Sequence, residues 1–405
     1  MAASATDSQR PSPSRPPRSL AAGMILQYAV GGAMFPFLSL MLRDRGFTVP
    51  EISMALLSGA GAMLVAPFFW GMLADRFIPL NRLFILMNLS VAGSVLLFFR
   101  QESHWSVVAA LVLFYACYNP TPILTNAIAL QHLPDPQRQF GPLRAWGSAG
   151  WVLPSFPIFA WLMLSGSPKL DFLLWLTMAL ALSMAITAFW LPHTPCGAVR
   201  TAATPLAGGY WPSLRRLLRN VNYLILIGAY LLMAASFAIQ AFYSPVRLED
   251  LGMTRPWIGM AQSVGVLWEI ALFFMRTAIV QRLGVKGSIA AGSAALLVRQ
   301  LLFAFGDNLW VLALSYMLVG TTVVLFHIGV NLLVAAMAER EVQSTAQTIL
   351  TLCSSGLGPI LANATVARML ASGATDLAGV FLFAAALTAS AGLLILFYRI
   401  PRARG

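Results

Sequence analysis

The chain has 405 residues, of which 59% are hydrophobic and 10% charged, and its formal net charge is +12. A soluble domain carries about 25% charged residues, so this chain lacks the polar cover that water demands, and an array of soluble domains is excluded. The basic residues stand in small groups between long apolar runs, a pattern of membrane topology and not of a phosphate-binding patch, so nucleic acid is not an expected partner.

The first residues, 1–19, are rich in Pro and Ser and read as an uncleaved cytoplasmic tail. Apolar runs long enough to cross the hydrocarbon, about 20 residues each, follow at 20–42, 52–74, 81–99, 105–131, 142–164, 170–191, 222–245, 257–281, 287–306, 309–336, 343–370 and 376–398. They predict an all-α polytopic protein of twelve transmembrane helices embedded in the lipid bilayer. Between the sixth and seventh runs, 192–220 is the longest polar stretch outside the tail. It ends in Arg215, Arg216 and Arg219 beside Leu214, Leu217 and Leu218, the makings of a short basic amphipathic helix in the headgroup layer. This linker divides the chain into six-helix bundles over 20–191 and 221–398, followed by a short tail, 399–405.

Orientation has an independent check. With the N-terminus in the cytoplasm, Arg43, Arg45, Arg100, Lys169, Arg247, Arg255, Arg299 and Arg368 fall on the far side. The rest of the 26 basic residues fall on the cytoplasmic side, as the positive-inside rule requires. Both termini are therefore expected in the cytoplasm. Cys117, Cys196 and Cys353 lie far apart with no His at ligand spacing, so neither a disulfide frame, a metal site nor a cofactor is expected.

After the second span comes GMLADRFIPLNR (71–82), in which Gly71, Leu73, Asp75, Arg76 and Arg82 resemble the loop signature of the major facilitator superfamily. The resemblance implies twelve helices in two pseudo-symmetric six-helix bundles. It also implies a cytoplasmic latch in which Gly71 admits a neighbouring helix while Asp75 bonds backbone amides or an Arg. A weaker copy, QRLGVKG (281–287), follows span eight with Arg282 and Lys286, but Gln281 stands where the acid is expected. FGPLRAWGSAGWV (140–152), with Arg144, Trp146 and Gly147, and LWEIALFF (267–274) and STAQTILTLCSSGLGP (344–359) narrow the likeness. They resemble the group of nucleoside–proton symporters, phenylpropionate permeases and lactose permease. Gly147, Ser148 and Gly150 form a small-residue face suited to close helix packing. Two departures stand out. Asn126 replaces an acid that relatives often carry in span four, and no carboxylate follows His327 one turn later, where Val330 and Asn331 stand instead.

Ionisable groups inside apolar spans mark sites, because lipid penalises an unpaired charge by several kcal/mol. Glu269, Arg299 and His327 are those of the second half. Burial favours the neutral form of Glu269 and a nearby Arg favours the charged form. Glu269 is therefore the candidate for the coupling proton, Arg299 for its tuning and His327 for the adjoining cavity. The same residues are also compatible with a static Glu–Arg pair that fixes helix packing. Tyr118, Asn126, Gln27 and Asn331 are the substrate-cavity candidates, with Tyr28, Tyr115 and Asn119 held behind them; interhelical hydrogen bonds are their alternative role. Pro120, Pro122, Pro154 and Pro157 are expected to kink spans four and five.

The resemblance implies a secondary transporter of a small organic solute (nucleoside-, aromatic acid- or sugar-like), driven by proton symport and alternating access, monomeric, in a bacterial inner membrane. Lys169 and Lys286 are the lysines among many arginines, which fits that membrane. Export or uncoupled diffusion on the same helices stays open, as does a non-transporting receptor. An enzyme is disfavoured, since the span interiors hold no Asp pair and the histidines are scattered, and no phosphate-binding Gly-Lys-Ser/Thr loop appears.

Overall fold

The computed structural model describes residues 17–101, 103–167, 169–196, 210–339, 342–373 and 375–398. The expected C-terminal tail, residues 1–16 of the N-terminal one and 197–209 of the linker lie outside these; the first helix starts at Arg18, inside the expected tail. The spans are Arg18–Asp44, Val49–Arg76, Leu80–Arg100, His104–His132, Gln139–Ser165 and Asp171–Trp190 in the first half. In the second they are Val221–Asp250, Arg255–Phe305, Leu309–Met337, Thr345–Ala371 and Leu377–Phe397.

The helix Arg255–Phe305 accounts for two spans. Its 51 residues would run about 77 Å if straight, more than twice the hydrocarbon thickness of about 30 Å. It breaks at Gly284, whose φ of 69° and ψ of 168° are open to glycine and costly for other residues. Both arms then pack on span ten. Trp268 Nε1 donates to Thr321 Oγ1 at 3.1 Å from one arm, and Arg299 Nη1 donates to Ser315 Oγ at 2.5 Å from the other. The break falls inside QRLGVKG, and Lys286 Nζ caps the end of span twelve by donating to the carbonyls of Leu396 (2.7 Å) and Tyr398 (2.8 Å). The weak second copy of the loop motif thus serves as a hairpin.

Proline places other breaks where expected. Span four divides between Tyr118 and Pro120, and span five between Val152 and Ser155, around Pro154. Lipid tails offer no hydrophobic drive for helix association, so close approach has to come from small residues. A Cβ on Gly150 would sit 2.8 Å from Ile25 Cα, and one on Gly147 would sit 2.8 Å from Tyr28 Cδ2. Spans one and five meet along that face.

Span ends alternate between two faces of the bundle, here called the Arg43 end and the Asp75 end. Exposed tryptophans ring both: Trp105, Trp175 and Trp310 near the first, Trp190 and Trp211 near the second, as membrane interfaces favour. The two ends are packed differently. The larger buried core joins Phe37, Met41 and Phe98 of the first half to Tyr243, Val246, Ile258 and Phe381 of the second. A second core around Leu226, Phe326, Val334 and Ile395 belongs to the second half alone, with Leu217 of the linker helix Tyr210–Arg219 docked on it. That helix is amphipathic as expected, but Leu214 and Leu217 face protein. Ser213 Oγ and Arg216 Nη2 bind Glu339 Oε2 at 2.6 and 2.9 Å, while Trp211 and Leu218 stay exposed.

Candidate functional site: a cavity between the halves

Helix irregularities gather at mid-depth and shape a cavity of about 500 Å³ between the halves, within the range of small-molecule sites. Span one has a 3₁₀ turn at Phe35–Phe37, and span four is interrupted at Asn119. Spans ten and eleven each contain a π-turn, Val323–His327 and Cys353–Leu357, a feature found often at functional sites. These breaks deliver Phe35, Tyr118, Asn119, His327, Ser354 and Ser355 to the wall, and Tyr28, Tyr115, Trp151, Phe237, Phe242, Gln262 and Asn363 complete its polar and aromatic lining. Phe35 stacks on Trp151 at 6.1 Å and meets Tyr115 edge-on at 5.6 Å.

At the Arg43 end the cavity is shut by bonds between the halves. Arg43 binds Glu249 at 3.1 Å and Asp250 at 2.7 Å, and Arg255 binds Asp44 at 2.6 Å while Glu249 of its own half braces it, also at 2.6 Å. Deeper in, the Tyr243 hydroxyl lies 2.8 Å from Ser53 Oγ and 2.6 Å from Asn363 Oδ1, and Gln262 Nε2 donates to the Pro36 carbonyl at 2.9 Å. At the Asp75 end no hydrogen bond or ion pair joins the halves among the described residues.

The expected latch residues sit at that end. A Cβ on Gly71 would meet nothing within 4 Å, Arg76 and Arg82 are exposed and Asp75 is half-buried. Among the described residues they make no bond to the second half. Glu269 is half-buried in span eight, where span ten comes so close that a Cβ on Gly320 would lie 2.8 Å from the Glu269 nitrogen. The cation whose charge reaches Glu269 is Arg144 of span five, held 4.2 Å over the Tyr28 ring. Trp146 of the same motif faces outward and is exposed.

Arg299 is equally far from the Gly284 break as Glu269, but it points elsewhere. It is fully buried within the second half, donates to Gln240 Oε1 at 3.2 Å and to Ser315 Oγ, and lies 3.9 Å over Tyr316 and 4.4 Å over Phe303. The structure does not bring Arg299 to Glu269. His327 is on the cavity wall, edge-on to Tyr230 (5.2 Å) and Phe237 (5.1 Å), with Nε2 free of any protein partner.

Of the cavity candidates, Tyr118 lines the wall and donates to the Gln27 carbonyl at 3.2 Å. Gln27 itself is buried away from the cavity, donating to Thr121 Oγ1 at 2.5 Å and accepting from Asn88 at 3.4 Å. Asn126 is half-buried outside the lining with Oδ1 unpartnered. Asn331 ties span ten together by donating to the His327 carbonyl at 2.7 Å. Among the described residues no metal-binding cluster occurs.

Sequence reasoning missed the ion-pair cluster, although its signal is an internal repeat. Arg-Asp-Arg-Gly-Phe-Thr at 43–48 and Glu-Asp-Leu-Gly-Met-Thr at 249–254 end spans one and seven alike. Gly46 and Gly252 both have positive φ (80° and 95°), and each repeat is followed by a Pro in the first turn of the next helix. The two halves thus place their charges opposite one another by pseudo-symmetry.

Twelve spans in two six-helix halves, with a central cavity shut at one end, define a secondary transporter of the major facilitator type. The family model for nucleoside H+ symporters matches residues 18–403, and the chain belongs to that family. It is a membrane-embedded, proton-coupled transporter of small solutes. It is 27% identical over 355 residues to the putative nucleoside transporter YegT of Escherichia coli (strain K12), covering 84% of this chain and 80% of that one. It is 22% identical to the xanthosine permease of the same organism, with 82% of each chain covered. The crystal structure of the nucleoside transporter NupG superposes with a TM-score of 0.78 at 21% identity, covering 94% of this chain and 98% of that one, which is a likeness of fold.

Proposed function

We propose that the chain imports a nucleoside-class solute with protons, binding it in the inter-half cavity as a monomer in a bacterial inner membrane. The Asp75 end faces the cytoplasm, with both termini, and the conformation described is closed outward. The basic side chains gathered at that end, Arg76, Arg82, Arg215, Arg216 and Arg219, support this orientation.

One observation carries the coupling assignment: the helix that holds Glu269 packs across the halves on span five, whose Arg144 is held over Tyr28 of the cavity wall. Because the halves move relative to one another in alternating access, a cation on one half stabilises the carboxylate on the other in some conformations and not in others. Glu269 then takes and releases the coupling proton as its distance to Arg144 changes. Arg299 holds spans seven, nine and ten together, and His327 meets the solute. Family membership and the aromatic, amide and hydroxyl lining support a ring-bearing, hydroxylated solute, which stacks and hydrogen-bonds in such a wall.

The test is uptake in right-side-out and everted vesicles under an imposed pH gradient, with nucleosides, aryl-propionates and small sugars compared. Nucleosides are expected to accumulate with the gradient, and Glu269→Gln is expected to reduce accumulation to simple equilibration. Gradient-driven accumulation by Glu269→Gln at the normal rate would remove the proton from this residue, and accumulation of another class alone would remove the nucleoside.

A further inference from the structure

Gln262 holds a position that neither the motifs nor the family assignment singles out. It stands about two helical turns before Glu269, on the same face of span eight and roughly 10 Å closer to the shut end. Its carboxamide lines the cavity and also bonds the opposite half, Nε2 donating to the Pro36 carbonyl at 2.9 Å. The 3₁₀ turn at Phe35–Phe37 interrupts the helical ladder there. Span eight comes close enough because residue 259 is glycine, where a Cβ would lie 2.7 Å from Phe37 Cζ.

A carbonyl only accepts, so the amide nitrogen has to face Pro36. The amide oxygen is then the free edge of a side chain that lines the cavity, and no described residue donates to it. It is not among the buried atoms that lack a partner, so it keeps accessible surface. One planar group thus has its donor edge on the closure and its acceptor edge on the solute space.

We propose that Gln262 is a specificity-determining residue that accepts an N–H or O–H of the solute at Oε1 while its Nε2 holds the outer closure on Pro36. The solute-recognition part rests on the nucleoside reading above, in which the donor is a nucleobase N–H or a ribose hydroxyl. Ordering the carboxamide for the solute also orders it for Pro36, so a bound solute favours closure of the Arg43 end behind it. An apolar or N-methylated edge in the same place leaves the oxygen unpaired and is disfavoured, the asymmetry by which a polar site rejects analogues that lack its partner.

The experiment compares the wild type, Gln262→Met and Tyr243→Phe on two readouts. Methionine keeps the length of glutamine and removes both polar edges. Tyr243→Phe cuts the other interior tie between the halves. The first readout is uptake of a nucleoside against its base-N-methylated and deoxy analogues. The second is maleimide labelling in nanodiscs of Ser39→Cys, a buried position in the part of span one that packs on span seven. The labelling background is Cys196→Ser, Cys196 being the exposed native cysteine.

In the wild type one analogue is expected to lose about 3- to 10-fold in kcat/KM, the worth of one hydrogen bond. Gln262→Met is expected to lose that factor for the nucleoside and to show no further loss for the analogue. Tyr243→Phe is expected to keep the discrimination. Both variants are expected to label faster than the wild type without solute. Solute is expected to slow labelling in the wild type and in Tyr243→Phe, but not in Gln262→Met. Undiminished discrimination by Gln262→Met overturns the subsite while the nucleoside reading stands. If the wild type accumulates no nucleoside, the substrate reading falls and solute recognition by Gln262 falls with it. The solute-free labelling rate still decides the closure, and a rate like the wild type's overturns it. If Gln262→Met does not assemble, Gln262→Leu carries the same comparison.

Discussion

At the Arg43 end three charged bonds, two interior hydrogen bonds and one continuous apolar core join the halves. At the Asp75 end, the residues of the sequence motif stand apart from the second half, and that half has a core of its own. The motif that names the superfamily is thus at the end that is apart, and the contacts that fix the present conformation come from a repeat that carries no familiar signature. A transporter with two alternating states needs contacts of both kinds. Those of the unoccupied state are silent in any one structure, because a differential contact acts only in the state that makes it.

Substitutions at each end should move the equilibrium in opposite directions. Arg255→Ala should act most strongly. Its side chain is 14% exposed and serves both Asp44 and Glu249, so its loss leaves Asp44 without its paired cation and Glu249 with Arg43 alone. A shift of about 1–2 kcal/mol, or about 5- to 30-fold in the population open at the Arg43 end, is expected from labelling of Ser39→Cys. An unchanged rate would mean that the ion pairs do not hold the closure. Gly71→Ala should do the reverse. A methyl there meets nothing in this state, and helix propensity improves by roughly 0.5–1 kcal/mol. The melting temperature should hold or rise, while transport slows several-fold and Ser39→Cys labels more slowly, because the other state needs the close approach. Normal transport by Gly71→Ala would leave the glycine without a latch role.

Gly252→Ala sharpens the comparison at the level of the repeat. The positive φ disfavours alanine by about 1 kcal/mol, enough to lower the melting temperature by a measurable step and to loosen the Glu249–Arg255 geometry. The smallest effect belongs to the linker helix. The Ser213 hydroxyl, and then Arg216, hold the Glu339 carboxyl below the usual range. Its docking contribution is therefore present above the ordinary Glu value and lost as pH falls through the lowered one. Hydrogen exchange over 210–219 should quicken at acid pH in the wild type, and Glu339→Gln should be quicker already at neutral pH and respond less to acid.

Arg299 and Glu269 show how far residue-by-residue reading of the sequence reaches. Both were recognised as charges in the wrong solvent, and both do lie inside spans. Their partners were not legible, because partner choice depends on the direction each side chain takes from its helix and on which helix comes next to it. Arg299 turns to Tyr316 and Gln240 inside one half, whereas the helix that holds Glu269 packs on span five of the other, which carries Arg144. Gln27 was recognised as a polar group in an apolar span, but a packing hydrogen bond to Thr121 and a cavity hydrogen bond look alike in sequence.

Span number, span ends, the division into halves and the breaks at Pro120 and Pro154 were determined by the sequence alone. Each follows from local chemistry: apolar runs set by bilayer thickness, and proline's missing N–H. The π-turns that present His327 and Ser354, the pairing of Arg255 with Asp44, and the side on which the cavity is shut were decided by tertiary structure. Those features depend on the mutual placement of two bundles that share no covalent geometry beyond a linker. For a transporter that placement has more than one answer, because the same residues have to fit both ends of its cycle.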